Sequence, residues 1–177
     1  MISLPAMINI RSNSCQETID CGEAFSQALE AKDIVILEGD LGGGKTTFVK
    51  GILKGFNFKR RVLSPSFTLI RQYSLKNLLI YHFDLYRIDA ADLFDLGAED
   101  LFYSQKSISL IEWGNKIKKD LLRYIQVKFL FSAENKRCLI FSTKGYKRSK
   151  IESILKAVKI RKKGKKGAES FLSIKAS

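Results

Sequence analysis

The chain has 177 residues and a mass of 20.1 kDa, room for one ordinary domain with a sizeable core, or one domain and a tail, but not for two enzymatic domains. Hydrophobic residues make up 45% and aromatics 11%, with only 2 Pro and 12 Gly, which excludes a collagenous, low-complexity or wholly disordered chain. The net charge of +13 invites a nucleic-acid reading, but Lys144 to Ser177 alone carry 12 Lys and Arg against 2 acidic residues, and the body upstream is close to neutral.

Ser14 and Glu17 form an S-x-x-E capping box, and Ile19, Gly22, Phe25 and Leu29 follow at spacings of three and four, so an amphipathic helix is expected up to about Ala31 to Asp33. Ile34 to Leu37 is a short apolar run rich in β-branched residues, the pattern of a parallel strand buried on both faces. A glycine loop, Gly39 to Thr46, leads from it into a second helical stripe, Phe48, Val49, Ile52, Leu53 and Phe56. Ser64-Pro65-Ser66 must be a loop, because Pro lacks the donor and biases its predecessor away from the helical region. Phe67 to Tyr73 and Leu78 to Phe83 suit two strands joined by a short hairpin link, with Asp84 at the exit. Asp89 to Phe102 reads as one or two short helices. Ile108 to Ile111 is another buried strand, ending at Glu112-Trp113. Tyr124 to Phe131 and Cys138 to Thr143 form a last antiparallel pair, and Ile151, Ile154, Leu155 and Val158 a small amphipathic helix running into Arg161 to Lys166. The fold expected is α/β: one P-loop NTPase-like domain over residues 1–145, with a mixed, partly parallel sheet between helices. A basic extension follows over 146–177, helical and then partly disordered.

Gly39-Asp40-Leu41-Gly42-Gly43-Gly44-Lys45-Thr46 matches G-x-x-x-x-G-K-[ST]. Backbone N–H groups can surround a polyphosphate only where side chains do not intrude, hence the glycines. Lys45 then neutralises the β and γ phosphates and the Thr46 hydroxyl ligates Mg²⁺. Asp84 and Glu112 each end an apolar strand, where a carboxylate faces the crevice and can hold the metal directly or through water. His82, the only histidine, sits inside a strand and reads as a packing residue rather than a base. Asn115-Lys116-Ile117-Lys118 approaches the guanine-reading N-K-x-D but has Lys where Asp is required. One histidine also leaves no Ser/His/Asp triad to assemble. Cys15, Cys21 and Cys138 are odd in number and lack C-x-x-C spacing, against a disulfide framework or a structural zinc. No apolar run approaches the roughly 18 to 20 residues of a bilayer span. The first ten residues lack a secretory pattern, and Met7 offers a second start, so a cytoplasmic location is expected.

The P-loop with Thr47, Ser64-Pro65-Ser66-Phe67-Thr68-Leu69, Tyr81-His82-Phe83-Asp84-Leu85-Tyr86-Arg87 and Glu112-Trp113 together resemble the TsaE (YjeE) family of bacterial P-loop ATPases, over roughly Ser14 to Thr143. The phosphate loop alone is generic; the H-x-D-L-Y-R run with E-W is specific. Gly43, Ser66 and Gly114 depart from the family's usual Ala, Thr and Pro, although Ser66 keeps the hydroxyl for a switch-like response to the γ-phosphate. The resemblance implies an ATPase that joins TsaB and TsaD in threonylcarbamoylation of adenosine 37 of tRNAs reading codons that begin with A. It also implies that Gly39 to Thr47, with Lys45, hold ATP, that Thr46 and Glu112 hold Mg²⁺, and that Thr47, Asp84 and Trp113 complete the site. Ser14 to Thr18, Cys15 among them, and Arg137 would lie near the adenine and phosphates.

Two other readings share some of these residues. A P-loop small-molecule kinase would need an acceptor pocket and an arginine-bearing lid, for which Lys59-Arg60-Arg61 is the candidate run. An RNA-binding module would work through the basic tail and touch tRNA there. No internal repeat is visible.

Overall fold

The position of one strand, Ile34 to Glu38, decides where everything else lies. In the computed structural model, which describes residues 7–133 and 136–163, this strand (β2) stands at the centre of a seven-stranded sheet. The others are β1 (Ile8–Ser12), β3 (Ile70–Ser74), β4 (Leu79–Asp84), β5 (Ser107–Glu112), β6 (Tyr124–Ala133) and β7 (Lys136–Lys144), in the order β1-β7-β6-β2-β5-β4-β3. β6, β2, β5 and β4 are parallel, and β1, β7 and β3 are antiparallel additions at the edges. The sheet is therefore mixed and partly parallel, as the alternation of apolar runs and helical stripes suggests.

Side chains of β2 alternate between two cores. Val35 and Leu37 join the face covered by α1 (Cys15–Ser26), α2 (Lys45–Gly55) and α5 (Arg148–Lys163), while Ile34 and Ile36 join the face covered by α3 (Ala90–Asp95) and α4 (Ala98–Phe102). Four consecutive residues are thus fully buried, which is why the strand reads as a continuous apolar run. α1 and α2 approach so closely that a Cβ on Gly22 would collide with the Phe48 carbonyl and one on Gly51 with the Ile19 carbonyl. That contact ties the helix opened by the glycine loop to the rest of the layer.

Several boundaries differ from expectation. α1 begins as the capping box requires, with Ser14 Oγ accepting from Glu17 N at 3.1 Å, but it ends at Ser26 rather than near Asp33. Turns occupy the interval, and Asp33 Oδ2 accepts from Glu30 N at 2.9 Å. β1 has no counterpart in the sequence reading; Ile8 and Ile10 bury themselves against β7 from the sheet edge. β3 starts at Ile70, not Phe67, because the Pro65 carbonyl takes both Thr68 N and Leu69 N and holds that stretch in a turn. Asp89 to Phe102 resolves into α3 and α4.

α5 packs into the core. Ile151, Ile154 and Val158 are buried with the α1 and α2 side chains, and Lys150 donates to Asp33 Oδ2 (2.6 Å), Glu30 Oε1 (3.0 Å) and Ala28 O (2.9 Å). The end of the expected basic extension, from Gly164 onward, lies outside the described residues, as do residues 134–135 of the link between β6 and β7. Among the described residues no helix is long and apolar enough to cross a membrane.

Candidate functional site

β2, β4 and β5 end together. The parallel register sets Leu37 beside Glu112 and Asp84 beside Glu112, so two carboxylates stand in a row on one side of the point where β2 passes into the glycine loop. This is the carboxyl edge of the parallel strands, where α/β folds form their ligand crevice. A cleft of about 310 Å³ opens there, lined by Leu41 to Thr47, Ser64, Ser66, Asp84, Tyr86, Glu112 and Trp113.

The loop has the backbone of an anion cradle. Gly44, at the N-terminus of α2, adopts φ 102, a left-handed conformation that a side chain would strain. A methyl group there would also lie 3.4 Å from Cδ and Nε of Arg137. The helix N-terminus adds the positive end of its dipole. Lys45 is buried, its Nζ donating to Gly39 O (2.7 Å) and Asp40 O (2.8 Å) and lying 4.1 Å from the centre of the Trp113 ring. Burial pushes the ammonium below the ordinary lysine range, and the charges of Glu112, Asp84 and Asp40 act in the opposite direction.

The acids are organised by short polar chains. Thr46 Oγ1 donates to Glu112 Oε1 at 2.7 Å, and the same carboxylate oxygen lies 2.9 Å from His82 Nε2. Asp84 Oδ2 accepts from Ser66 Oγ and, at 3.2 Å, from Ser64 Oγ, while its Oδ1 accepts from Tyr86 N at 3.0 Å. Trp113 has φ 60, rare for a bulky residue. It is held there by its N–H to Leu37 O (2.9 Å), by Lys45 and by the Tyr86 ring, whose centre is 5.1 Å away.

These donors suit one cation in particular. Thr46 and Glu112 supply hard oxygens at a common point, and among the described residues no three His, Cys, Asp or Glu side chains form a cage. That set fits Mg²⁺, which takes one or two protein oxygens and completes its shell with water and phosphate. Arg137 fits an anion: it is buried, and its Nε and Nη1 have no hydrogen-bond partner.

Comparison with known proteins gives the arrangement its family. The sequence profile described as threonylcarbamoyl adenosine biosynthesis protein TsaE matches residues 12–139. The chain belongs to the TsaE family. It is 40% identical over 128 residues to the tRNA threonylcarbamoyladenosine biosynthesis protein TsaE of Rickettsia typhi, covering 71% of this chain and 88% of that one. It is 38% identical over 136 residues to the protein of the same name from Bacillus subtilis, covering 76% and 85%. Among solved structures, YdiB of Bacillus subtilis matches with a TM-score of 0.73 at 27% identity, over 90% of this chain and 98% of that one. The TsaE match stops within β7, so α5 lies beyond it.

Of the residues singled out in the sequence, Leu41 to Thr47, Asp84, Glu112 and Trp113 line the cleft of this TsaE-family fold. Gly39 and Asp40 contribute carbonyls to Lys45, and Arg137 lies behind Gly44. Cys15 is exposed on the first turn of α1 and does not line the cleft, nor do the exposed Lys59, Arg60 and Arg61. Lys116, from the N-K-x-K run, instead ties down the neighbouring segment by donating to Tyr86 O and Ile88 O. Ser64 and Tyr86 enter the sequence reading as parts of the resemblance and His82 as a packing residue, and none is given a role in the site, where they contact Asp84 or Glu112. The local signals are the pair of hydroxyls flanking Pro65 and the H-x-D-L-Y-R run, but His82 reveals its partner Glu112 only through the strand register.

Proposed function

We propose that this TsaE-family chain is a Mg²⁺-dependent ATPase that works with TsaB and TsaD in the threonylcarbamoylation of adenosine 37 of tRNAs reading codons that begin with A. The observation that carries the reading is the hydrogen bond from Thr46 to Glu112 at the mouth of a glycine loop that also holds Lys45. Loop amides and the α2 N-terminus receive the phosphates, and Lys45 leaves its carbonyl partners to neutralise them. Thr46 and Glu112 hold Mg²⁺, with Asp84 reaching it directly or through water. Bound there, the ion would neutralise charge on the β and γ phosphate oxygens during transfer. His82 fixes the Glu112 carboxylate from behind, the part that a partner of a metal ligand plays. Arg137 offers its free nitrogens to the nucleotide from beside Gly44. Ser64 and Ser66 couple Asp84 to the loop that carries the exposed Phe67, which gives the γ-phosphate a route to the surface.

Turnover in isolation is expected to be slow, because no arginine finger lines the cleft among the described residues, Arg137 lying behind Gly44 rather than in the lining. Phosphate release from ATP without any acceptor should be measurable and should fall by at least about 100-fold in Lys45→Ala. ATP should also change the recovery of TsaB and TsaD with the tagged chain. Phosphate transfer only to an added small molecule would make the protein a kinase, and unchanged hydrolysis in folded Lys45→Ala would remove the assignment.

A further inference from the structure

The cleft accounts for little of the positive charge on this molecule. Much of the rest falls in the sequence from Lys144 onward, which includes α5 and lies beyond the residues that the TsaE profile matches. One side of α5 is committed to the core through Lys150, Ile151, Ile154 and Val158. Along the other side Arg148, Glu152, Lys156 and Lys159 recur at spacings of four and three, all exposed, and Lys144 and Lys147 stand exposed just before the helix. Among the described residues Glu152 answers only Arg148, at 3.1 Å. From Arg148 to Lys159 the stripe runs about 16 Å at the helical rise. The sequence then adds five Lys and Arg within residues 161–166 and no acid.

We propose that the exposed face of α5, with Lys144 and Lys147, is a contact surface for the phosphate backbone of structured RNA. Two anionic partners are compatible with such a charge, and burial chooses between them. An amphipathic helix anchors on a membrane surface by inserting a free apolar face below the headgroups. In α5 that face is already spent against the sheet and α1. What remains is a row of cations on a fixed helix, which neutralises phosphates without reading bases. The RNA in prospect is tRNA, the molecule named in the relatives' process. The surface does not depend on nucleotide in the cleft, so it stands or falls apart from the ATPase reading.

The test uses the full chain and bulk tRNA at about 0.15 M salt. Replacing Lys144, Lys147, Lys156 and Lys159 by Gln should weaken binding by about tenfold or more and flatten the salt dependence by roughly three in the log-log slope. Replacing the same four by Arg should leave both near wild type. Unaltered thermal unfolding shows that the variants are folded. Equal affinity and slope for the Gln variant and wild type would overturn the proposal. So would loss of binding only when residues 164–177 are removed, or capture on phosphatidylserine vesicles that tRNA fails to compete away.

Discussion

The two ends of β2 each hold a cluster of buried charge, and the clusters follow opposite rules. At the Asp33 end the charged groups are paired with one another: Lys150 uses three acceptors, and Asp33 takes Tyr146 OH at 2.9 Å as well as Lys150 and Glu30 N. At the loop end two carboxylates stand side by side, Lys45 is desolvated, and Arg137 Nε and Nη1 and His82 Nδ1 have no partner. Buried polar groups in native proteins are nearly always satisfied. The first cluster therefore closes upon itself and holds α5 to the sheet, whereas the second has bonding capacity left for a ligand.

Breaking the closed cluster should have the largest effect on folding. Lys150→Ala leaves Asp33 buried without its cation and is expected to cost about 3 to 5 kcal/mol in chemical denaturation; a loss below about 1 kcal/mol would mean that water reaches Asp33 freely. Nucleotide binding per folded molecule should survive. The open cluster should respond in the reverse sense. Glu112→Ala and Asp84→Ala are each expected to reduce Mg²⁺-dependent hydrolysis by about 100-fold with little change in unfolding midpoint. A destabilised variant that hydrolyses normally when folded would return that acid to a structural role. A smaller effect is expected behind Glu112, the proposed metal ligand. His82→Leu should raise the Mg²⁺ needed for half-maximal nucleotide tightening by about tenfold, leaving binding in EDTA unchanged, and His82→Gln should recover part of the loss. Equal Mg²⁺ dependence in all three proteins would reduce His82 to packing.

The smallest effect concerns pH. Burial first, and then the Asp33 charge, push the Tyr146 phenol above its ordinary value of 10.0. Its contribution is therefore complete below about pH 10. It declines above that, as the unfolded chain ionises its phenol and the folded one does not. Tyr146→Phe should cost about 1 kcal/mol at neutral pH and remove that part of the alkaline decline. An identical decline in both proteins would place its origin in another group.

Much of this was legible along the chain. Ile34 to Leu37 announced a strand buried on both faces, and the spacing of Gly39 to Thr46 announced the cradle that follows it. Asp84 and Glu112 could be picked out as strand ends, but their adjacency depends on a parallel register between segments almost thirty residues apart. The same register hid His82: it pairs with Leu110, so Glu112, two residues on, presents its side chain to the same face. β1 was illegible because two isoleucines in five residues are too weak a pattern, and they gain meaning only once β7 offers an edge. Lys150 looked like one more cation in a basic tail, since its partner Asp33 lies 117 residues away. Arg137 was reached through family resemblance; no local spacing marks a buried guanidinium.

The chain has a single tryptophan, and the fold sets it in the cleft with the Lys45 ammonium against its ring. Indole emission from the whole protein consequently comes from one place, and its colour and yield depend on that neighbouring cation. If Lys45 turns toward a phosphate, as the proposed function requires, the ring would lose the charge at its face while the Trp113 N–H bond to Leu37 O holds the backbone beneath it. On that reading the indole would serve as an optical gauge of the loop, readable without a dye.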